Sequence, residues 1–194
     1  MATTVLITGA TGLVGKALTQ LLLSKGYAIH VLTTQKALVY SNKNLQYFYW
    51  NPQRNEMDTT CFEGVEVVIN LAGSSIAQRW TKSAKASILN SRIQSLQVLA
   101  KAIKEGNFSV KQLISASAVG IYSDSKTNYY EEEHVSTDDS SFLSTVVSAW
   151  ESATTQFQEM GIKTTLLRIG IVLDANGGAL PKIKAPIEKY CGAV

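Results

Sequence analysis

The apolar triplet Val5-Leu6-Ile7 runs into Thr8-Gly9-Ala10-Thr11-Gly12-Leu13-Val14-Gly15, and a helical run over 16–25 follows at once. No other part of the chain restricts the fold as much. A strand that turns through glycines into a helix gathers backbone N–H groups and the positive end of a helix dipole at one spot, which suits a pyrophosphate. Glycines in such a turn have separate tasks: a tight bend, room for phosphate to touch backbone, and close packing of helix on strand. The spacing is G-x-x-G-x-x-G, so Ala10 stands where the fingerprint G-x-G-x-x-G has its first glycine. A glycine triplet alone would serve equally as a plain structural turn. The second strand, 28–32 beyond Gly26, supplies the context that a dinucleotide-binding βαβ unit requires.

Strand and helix signals alternate onward, which predicts an α/β fold: a Rossmann-type doubly wound parallel sheet in three α/β/α layers. Leu13, Ala17, Leu18, Leu21 and Leu22 recur at helical spacing, and Gly26 ends that helix. Further strands are predicted over 45–50, 65–71, around 113–117 and over 163–173. Helices are predicted over 83–105 and 142–160, the second stopped by Gly161. The polar stretch to Thr60 reads as a loop or short helix, and 123–141 as a polar loop holding Glu131-Glu132-Glu133. Open α/β sheets bind ligands beyond the carboxyl ends of their strands, where later segments close the crevice. Nothing after the sixth strand supplies that cover, so the chain reads as incomplete.

With 194 residues, 45% of them hydrophobic, the chain can bury the core of one such domain. Its formal charge of +3 comes from 18 basic and 15 acidic residues scattered along it. No basic stripe interleaved with aromatics occurs, so nucleic acid is not an expected partner. Cys61 and Cys191 lie far apart without metal-ligand neighbours, which predicts neither a disulfide framework nor a metal site. No stretch is long and apolar enough to span a bilayer and no leader is evident, so a soluble cytoplasmic protein is expected, a homo-oligomer being compatible with this.

In the NAD version of this fold an Asp or Glu about 20 residues past the glycines takes the ribose 2′-hydroxyl. Here the second strand ends in Thr33-Thr34-Gln35-Lys36-Ala37, and no acid follows until Glu56. A carboxylate would repel a 2′-phosphate, whereas hydroxyls and an ammonium accept one. NADP(H) is therefore expected in preference to NAD(H), with Lys36 as the expected phosphate contact and Thr33 beside it. As a plain alternative, Lys36 is a solvated surface lysine. A fold using S-adenosylmethionine fits the glycine pattern and the serines of the fifth strand less well.

Several segments together resemble the extended and atypical short-chain dehydrogenase/reductase superfamily. They are 7–15, Val68-Ile69-Asn70-Leu71-Ala72-Gly73, Arg79-Trp80-Thr81, Ser91-Arg92, Ser115-Ala116-Ser117-Ala118-Val119-Gly120, Trp150-Glu151, Leu167-Arg168-Ile169-Gly170-Ile171-Val172-Leu173 and Gly177-Gly178-Ala179-Leu180. More narrowly, the chain is similar to the epimerase-like subfamily: the NAD(P)-dependent epimerase/dehydratase family, nucleoside-diphosphate-sugar epimerase-like. The likeness covers essentially the whole chain. It implies that Gly9, Thr11, Gly12, Leu13 and Val14 line the pyrophosphate, and that Leu71, Ala72 and Gly73 lie along the adenosine half. It places Ser115 and Ala116 near the nicotinamide ribose, and Gly170 and Ile171 near the nicotinamide. Ser117 matches the serine that in relatives hydrogen-bonds the substrate's reacting oxygen. Ordinary strand-end turns would produce 70–73 and Gly170 as well. The resemblance divides the chain into an NAD(P)-binding domain over 1–175 and, over 176–194, the start of a C-terminal substrate region that is cut short.

Members with ordinary chemistry carry a tyrosine with a lysine four residues later on a helix, the ammonium lowering the phenol's pKa so that it can exchange a proton. The one literal match, Tyr122 with Lys126, begins five residues past Ser117 in a polar loop and reads as a decoy. Where the helix-borne pair belongs stand Phe142-Leu143 and Val146-Val147, which cannot transfer a proton. Substitute acids are Tyr122 itself, one of Glu131 to Glu133, or His134; the glutamates and the histidine read equally as solvated surface. Arg79, Lys82, Lys85 and Arg92 surround the start of the long helix and would suit an anionic substrate, with Trp80 against its ring. Solvent-facing cations and a core tryptophan would give the same pattern.

Two functions follow. One is an NADP(H)-binding oxidoreductase or epimerase-like enzyme acting on a polar small molecule such as a sugar nucleotide. The other is a non-catalytic dinucleotide-binding protein with a structural or regulatory role. The retained Ser117 favours the first and the absent tyrosine–lysine pair the second.

Overall fold

The computed structural model describes residues 3–39, 41–133, 141–175 and 177–188. Strand β1 (Thr4–Thr8) lies at the middle of the main sheet, with β2 (Ala28–Thr33) on one side and β6 (Val65–Asn70) on the other, both parallel to it. Beyond β2 come β4 (Leu45–Asn51) and a short antiparallel β3 (Ser41–Asn42); beyond β6 come β7 (Gln112–Ala118) and β8 (Lys163–Ile169). Six parallel strands thus run in the order β4-β2-β1-β6-β7-β8. The order reverses next to β1, which puts the topological switch point at the carboxyl ends of β1 and β6.

Val5, Leu6 and Ile7 are buried on alternating faces, as a central parallel strand demands. Helix α1 (Leu13–Ser24) lays Leu18, Leu22 and Leu23 on the face of Val5, Ile7, Val31 and Ile69. On the opposite face Leu6, Val68 and Leu113 meet Leu96, Leu99 and Ile103 of α2 (Lys82–Gly106) and Trp150 of α3 (Phe142–Ser152). Phe157 of the short α4 (Thr155–Glu159) joins that cluster. Two apolar layers around one sheet make the predicted three-layer fold. Thr81 caps α2, its hydroxyl accepting from the Ala84 N–H at 3.2 Å.

Four elements depart from the sequence reading. The helix over 142–160 divides into α3 and α4, because the Thr154 hydroxyl donates to the Glu151 carbonyl at 2.7 Å and turns the chain at that point. The strand over 163–173 ends at Ile169, and β9 (Leu173–Asp174) pairs instead with β10 (Gly177–Gly178) in a separate antiparallel ribbon. Helix α5 (Leu180–Glu188) follows, unpredicted because it contains Pro181 and Pro186. Between β4 and β6, β5 (Glu56–Met57) pairs back onto Trp50 and Asn51, where a loop or short helix was expected; short 3₁₀ turns flank it. Among the described residues no helix is long and apolar enough to cross a membrane.

Candidate active site

The glycine turn is built as its spacing implies. Gly12 is the N-cap of α1 with extended backbone (φ −74°, ψ 174°), and among the described residues no side chain caps that end. The first-turn amides of α1 therefore stay open toward the crevice. Gly9 has φ +71°, and a β-carbon on it would stand 2.6 Å from the Leu71 carbonyl oxygen. A β-carbon on Gly15 would run into the Gly9 carbonyl. One glycine admits the end of β6, and the other lets α1 pack onto the turn.

A buried polar row crosses the strand ends behind this turn. Thr8 donates its hydroxyl to the Asn70 side-chain Oδ1 at 2.7 Å, and Asn70 Nδ2 donates to the Ser115 hydroxyl at 3.3 Å. The Thr8 hydroxyl also accepts from the N–H groups of Leu71 and Ala72, both at 3.1 Å. Register makes this row: Thr8 pairs with Asn70, and Asn70 with Ser115. Ser115 is thereby a buried bracket for the 70–73 segment.

In front of the turn lies a cavity of about 410 Å³ lined by Gly9, Thr11, Thr33, Ala72 and Gly73, residues assigned from sequence to the cofactor. Gln35 also lines it, as do Trp50, Asn51, Pro52 and Gln53 at the end of β4 and Gln94 and Ser95 on α2, which the sequence reading missed. No Asp or Glu is among its described lining residues. The Thr33 hydroxyl accepts from the Gln35 N–H at 3.1 Å. Lys36 stands outside this lining, exposed, with its ammonium 4.8 Å from the centre of the Tyr49 ring. Leu13 and Val14 form the first turn of α1; Ala116 lies near the end of β7, and Gly170 and Ile171 are exposed directly after β8.

Ser117 is 3% exposed, and its hydroxyl donates to the Glu151 carboxylate. Arg168, paired in register with Ser117, holds that carboxylate from the other side, with Nε–Oε1 at 2.9 Å and Nη2–Oε2 at 3.0 Å. Its Nη1 donates to the Tyr122 hydroxyl at 2.8 Å and to the Glu132 carbonyl at 2.7 Å. Burial pushes the Glu151 carboxyl up, but hydrogen bonds from Arg168 and Ser117 and the charge of Arg168 outweigh it and hold the group below the usual carboxylate range. Arg168, not the exposed Lys126, is thus the cation at the Tyr122 oxygen. Leu143 and Val147 pack beside Gly120, so the missing pair's positions hold hydrocarbon.

Glu151 and Arg168 received no role from the sequence. Their signal was present: single opposite charges inside apolar segments of α3 and β8 must find partners when buried. Trp80 donates its indole N–H to the Ile76 carbonyl at 2.9 Å and meets Phe142 edge-on at 5.2 Å, with the Lys85 ammonium 5.0 Å from that same ring. Arg92 belongs to another group. It donates to the carbonyls of Ser74 (3.1 Å) and Ile88 (2.8 Å) and lies 4.9 Å over the Trp150 ring, bracing the 71–74 segment; burial lowers its pKa. Arg79 is exposed. His134 and Cys191 lie outside the described residues, and among those described no three His, Cys, Asp or Glu side chains gather to hold a metal.

Sheet order, glycine turn and switch-point crevice define a Rossmann-type protein of the short-chain dehydrogenase/reductase kind. The sequence pattern described as the NAD dependent epimerase/dehydratase family matches residues 5–173, and the chain belongs to that family. Epimerase family proteins of Staphylococcus saprophyticus and Staphylococcus aureus are 37% and 36% identical over 187 residues, covering 96% of this chain and 61% of theirs. The chain thus spans about three fifths of the length of these curated relatives. Human epimerase family protein SDR39U1 (isoform 2), solved with NADPH, superposes with a TM-score of 0.76 at 26% identity over 98% of this chain and 61% of its own. A nucleoside-diphosphate sugar epimerase of Corynebacterium glutamicum gives 0.78 at 32% identity, over 97% of this chain and 38% of its own.

Proposed function

We propose that this chain binds NADP(H) and serves an oxidoreductase or epimerase-like reaction on a small polar substrate of the sugar-nucleotide type. The observation that carries the cofactor reading is the cavity at the switch point: Gly9 and Thr11 of the turn that leads into the uncapped α1 on one side, Thr33 on the other, and no carboxylate in its described lining. The pyrophosphate would sit on the amides of Gly12, Leu13 and Val14, and the adenosine along Ala72 and Gly73. When bound, the cofactor supplies or accepts a hydride. Ala116 would border its ribose, with the fully buried Ser115 behind it rather than in contact, and Gly170 and Ile171 would border its nicotinamide.

Ser117 would hold the substrate's reacting oxygen: with its proton on Glu151 it accepts from a substrate hydroxyl, and to hold a carbonyl oxygen it would turn that proton from Glu151 to the substrate. Tyr122 would be the proton donor, because Arg168 leaves its hydroxyl hydrogen free to point elsewhere. Trp80 and Arg79 would border the substrate side, which the start of a C-terminal region over 176–194 would begin to close; Arg92 is taken up in bracing the 71–74 segment. A second reading, a dinucleotide-binding protein without turnover, is favoured by Leu143 and Val147 in place of the helix-borne pair. Full-length protein titrated with NADPH and NADH, then assayed with sugar nucleotides and simple carbonyl compounds, separates these readings. Tight NADPH binding with turnover supports the first, and tight binding without turnover the second. A clear preference for NADH removes the NADP(H) assignment.

A further inference from the structure

Two charged groups that take no proton or hydride in the reading above stand beside its proton donor. Arg168 and Glu151 have side chains only 15% and 14% exposed. A guanidinium has five N–H donors and no acceptor. Nε and Nη2 of Arg168 go to Glu151, and Nη1 goes to the Tyr122 oxygen and the Glu132 carbonyl, so its plane is fixed from four sides. Because Arg168 only donates, the Tyr122 oxygen accepts from it. The phenol's own hydrogen is left for the cavities of about 770 and 490 Å³ that Tyr122 lines, and its ring is steadied by stacking on Tyr130 at 5.3 Å. A purely structural ion pair would need only the two charges. Here the third nitrogen is aimed at a cavity-lining phenol.

We propose that the Glu151–Arg168 pair is the positioning device for Tyr122, supplying from β8 and α3 the cation that a helix-borne lysine would otherwise place beside a catalytic phenol. The inference rests on the enzymatic reading proposed above. In the reducing direction the Tyr122 O–H bond breaks and its proton goes to the substrate carbonyl oxygen, while the carbonyl carbon takes the hydride supplied by bound NADPH. Arg168 opposes the charge left on the phenolate, which regains a proton from water in the cavity. Glu151, itself held by Ser117, keeps Arg168 from turning away.

The test uses full-length protein and the variants Arg168→Met, Glu151→Gln and Tyr122→Phe. Three readouts are compared: NADPH affinity by fluorescence, side-chain signals of ¹⁵N-labelled arginine, and turnover of UDP-glucose, UDP-glucuronic acid and small aldehydes. All three variants are expected to bind NADPH within about twofold of wild type, since none touches the glycine turn. Wild-type Arg168 is expected to show hindered guanidinium rotation, which Glu151→Gln releases. Turnover is expected to fall about 100-fold or more in Tyr122→Phe and about 100-fold in Arg168→Met, and added methylguanidine should restore part of the latter loss. Unchanged turnover in Arg168→Met or Tyr122→Phe overturns the proposal, as does a loss in Arg168→Met that methylguanidine leaves untouched or that comes with lost NADPH binding. Wild-type protein that binds NADPH but turns over none of these compounds removes the enzymatic reading, and the proposal falls with it; freely rotating wild-type Arg168 removes the proposal alone.

Discussion

The carbonyl oxygen of Leu71 lies 2.6 Å from the point where a β-carbon on Gly9 would stand. Gly9 also has φ +71°, a conformation that costs other L-residues about 1–2 kcal/mol. Gly9→Ala therefore meets strain and a clash with fixed backbone together. The expected result is a destabilisation of about 2 kcal/mol or more, read as a lowered melting temperature. NADPH affinity should fall more than tenfold, because the displaced segment carries Ala72 and Gly73. Gly170→Ala is the control: a β-carbon there meets nothing within 4 Å, so stability should be unchanged and only cofactor affinity, if anything, should move.

Thr8 is fully buried, and its hydroxyl serves Asn70, Leu71 and Ala72 at once. Thr8→Val keeps the shape and removes those bonds. Leu71 N–H retains the Thr8 carbonyl at 3.2 Å, while among the described residues the fully buried Asn70 Oδ1 and the partly buried Ala72 N–H have no second partner. Leaving a buried group unsatisfied costs about 1–3 kcal/mol, so thermal unfolding should come roughly 2–10 °C earlier. A valine variant with wild-type melting and wild-type NADPH affinity would show that the polar row does not organise the 70–73 segment.

Cofactor choice can be probed at Gln35, which lines the cavity next to Thr33. Gln35→Asp adds a negative charge on that wall. At the separations of this exposed cavity it should weaken NADPH by about 1–2 kcal/mol at low salt, roughly tenfold, and leave NADH unaffected or improved. The difference should shrink as salt is added. Equal weakening of both cofactors would mean that the wall faces something other than a 2′-phosphate. Lys36→Ala adds a second arm: its ammonium sits over Tyr49 rather than in the cavity lining, so an unchanged NADPH affinity would assign the anion contact to Thr33 and neighbouring backbone.

Much of this molecule is legible in the order of its residues because local signals and global fold agree. Val5 to Gly15 states a strand, a turn and a helix start in one segment, and Thr81 announces α2. The split at Thr154 was hidden because a threonine that bonds its own helix reads like any helical residue. Helix α5 was hidden because Pro186 reads as a breaker. Trp50 to Gln53 reach the cavity only through the placement of β4 at the far side of β2, a tertiary fact. The same holds for Ser117. Its motif position is plain in the sequence, but that its proton goes to Glu151 depends on how α3 packs across the end of β7.

Glu151 should also leave a mark on acid stability. Its carboxyl is held below the usual range, so the folded protein binds fewer protons at this site than the unfolded chain does. The stabilisation is fully present above the unfolded value of about 4.3 and is lost as pH falls through the lower folded value. Glu151→Gln removes the charge and leaves Arg168 facing an amide in a largely buried site. At neutral pH this should cost about 3 kcal/mol, the low end of what breaking a buried pair costs. Calorimetry from pH 8 downward should therefore find a gap between wild type and Glu151→Gln that is constant down to about pH 5 and narrows progressively as the pH falls below the unfolded value. A gap that is absent at neutral pH, or that widens as the pH falls, would mean that Glu151 is not held ionised by Arg168, and the alignment of Arg168 on Tyr122 would need another cause.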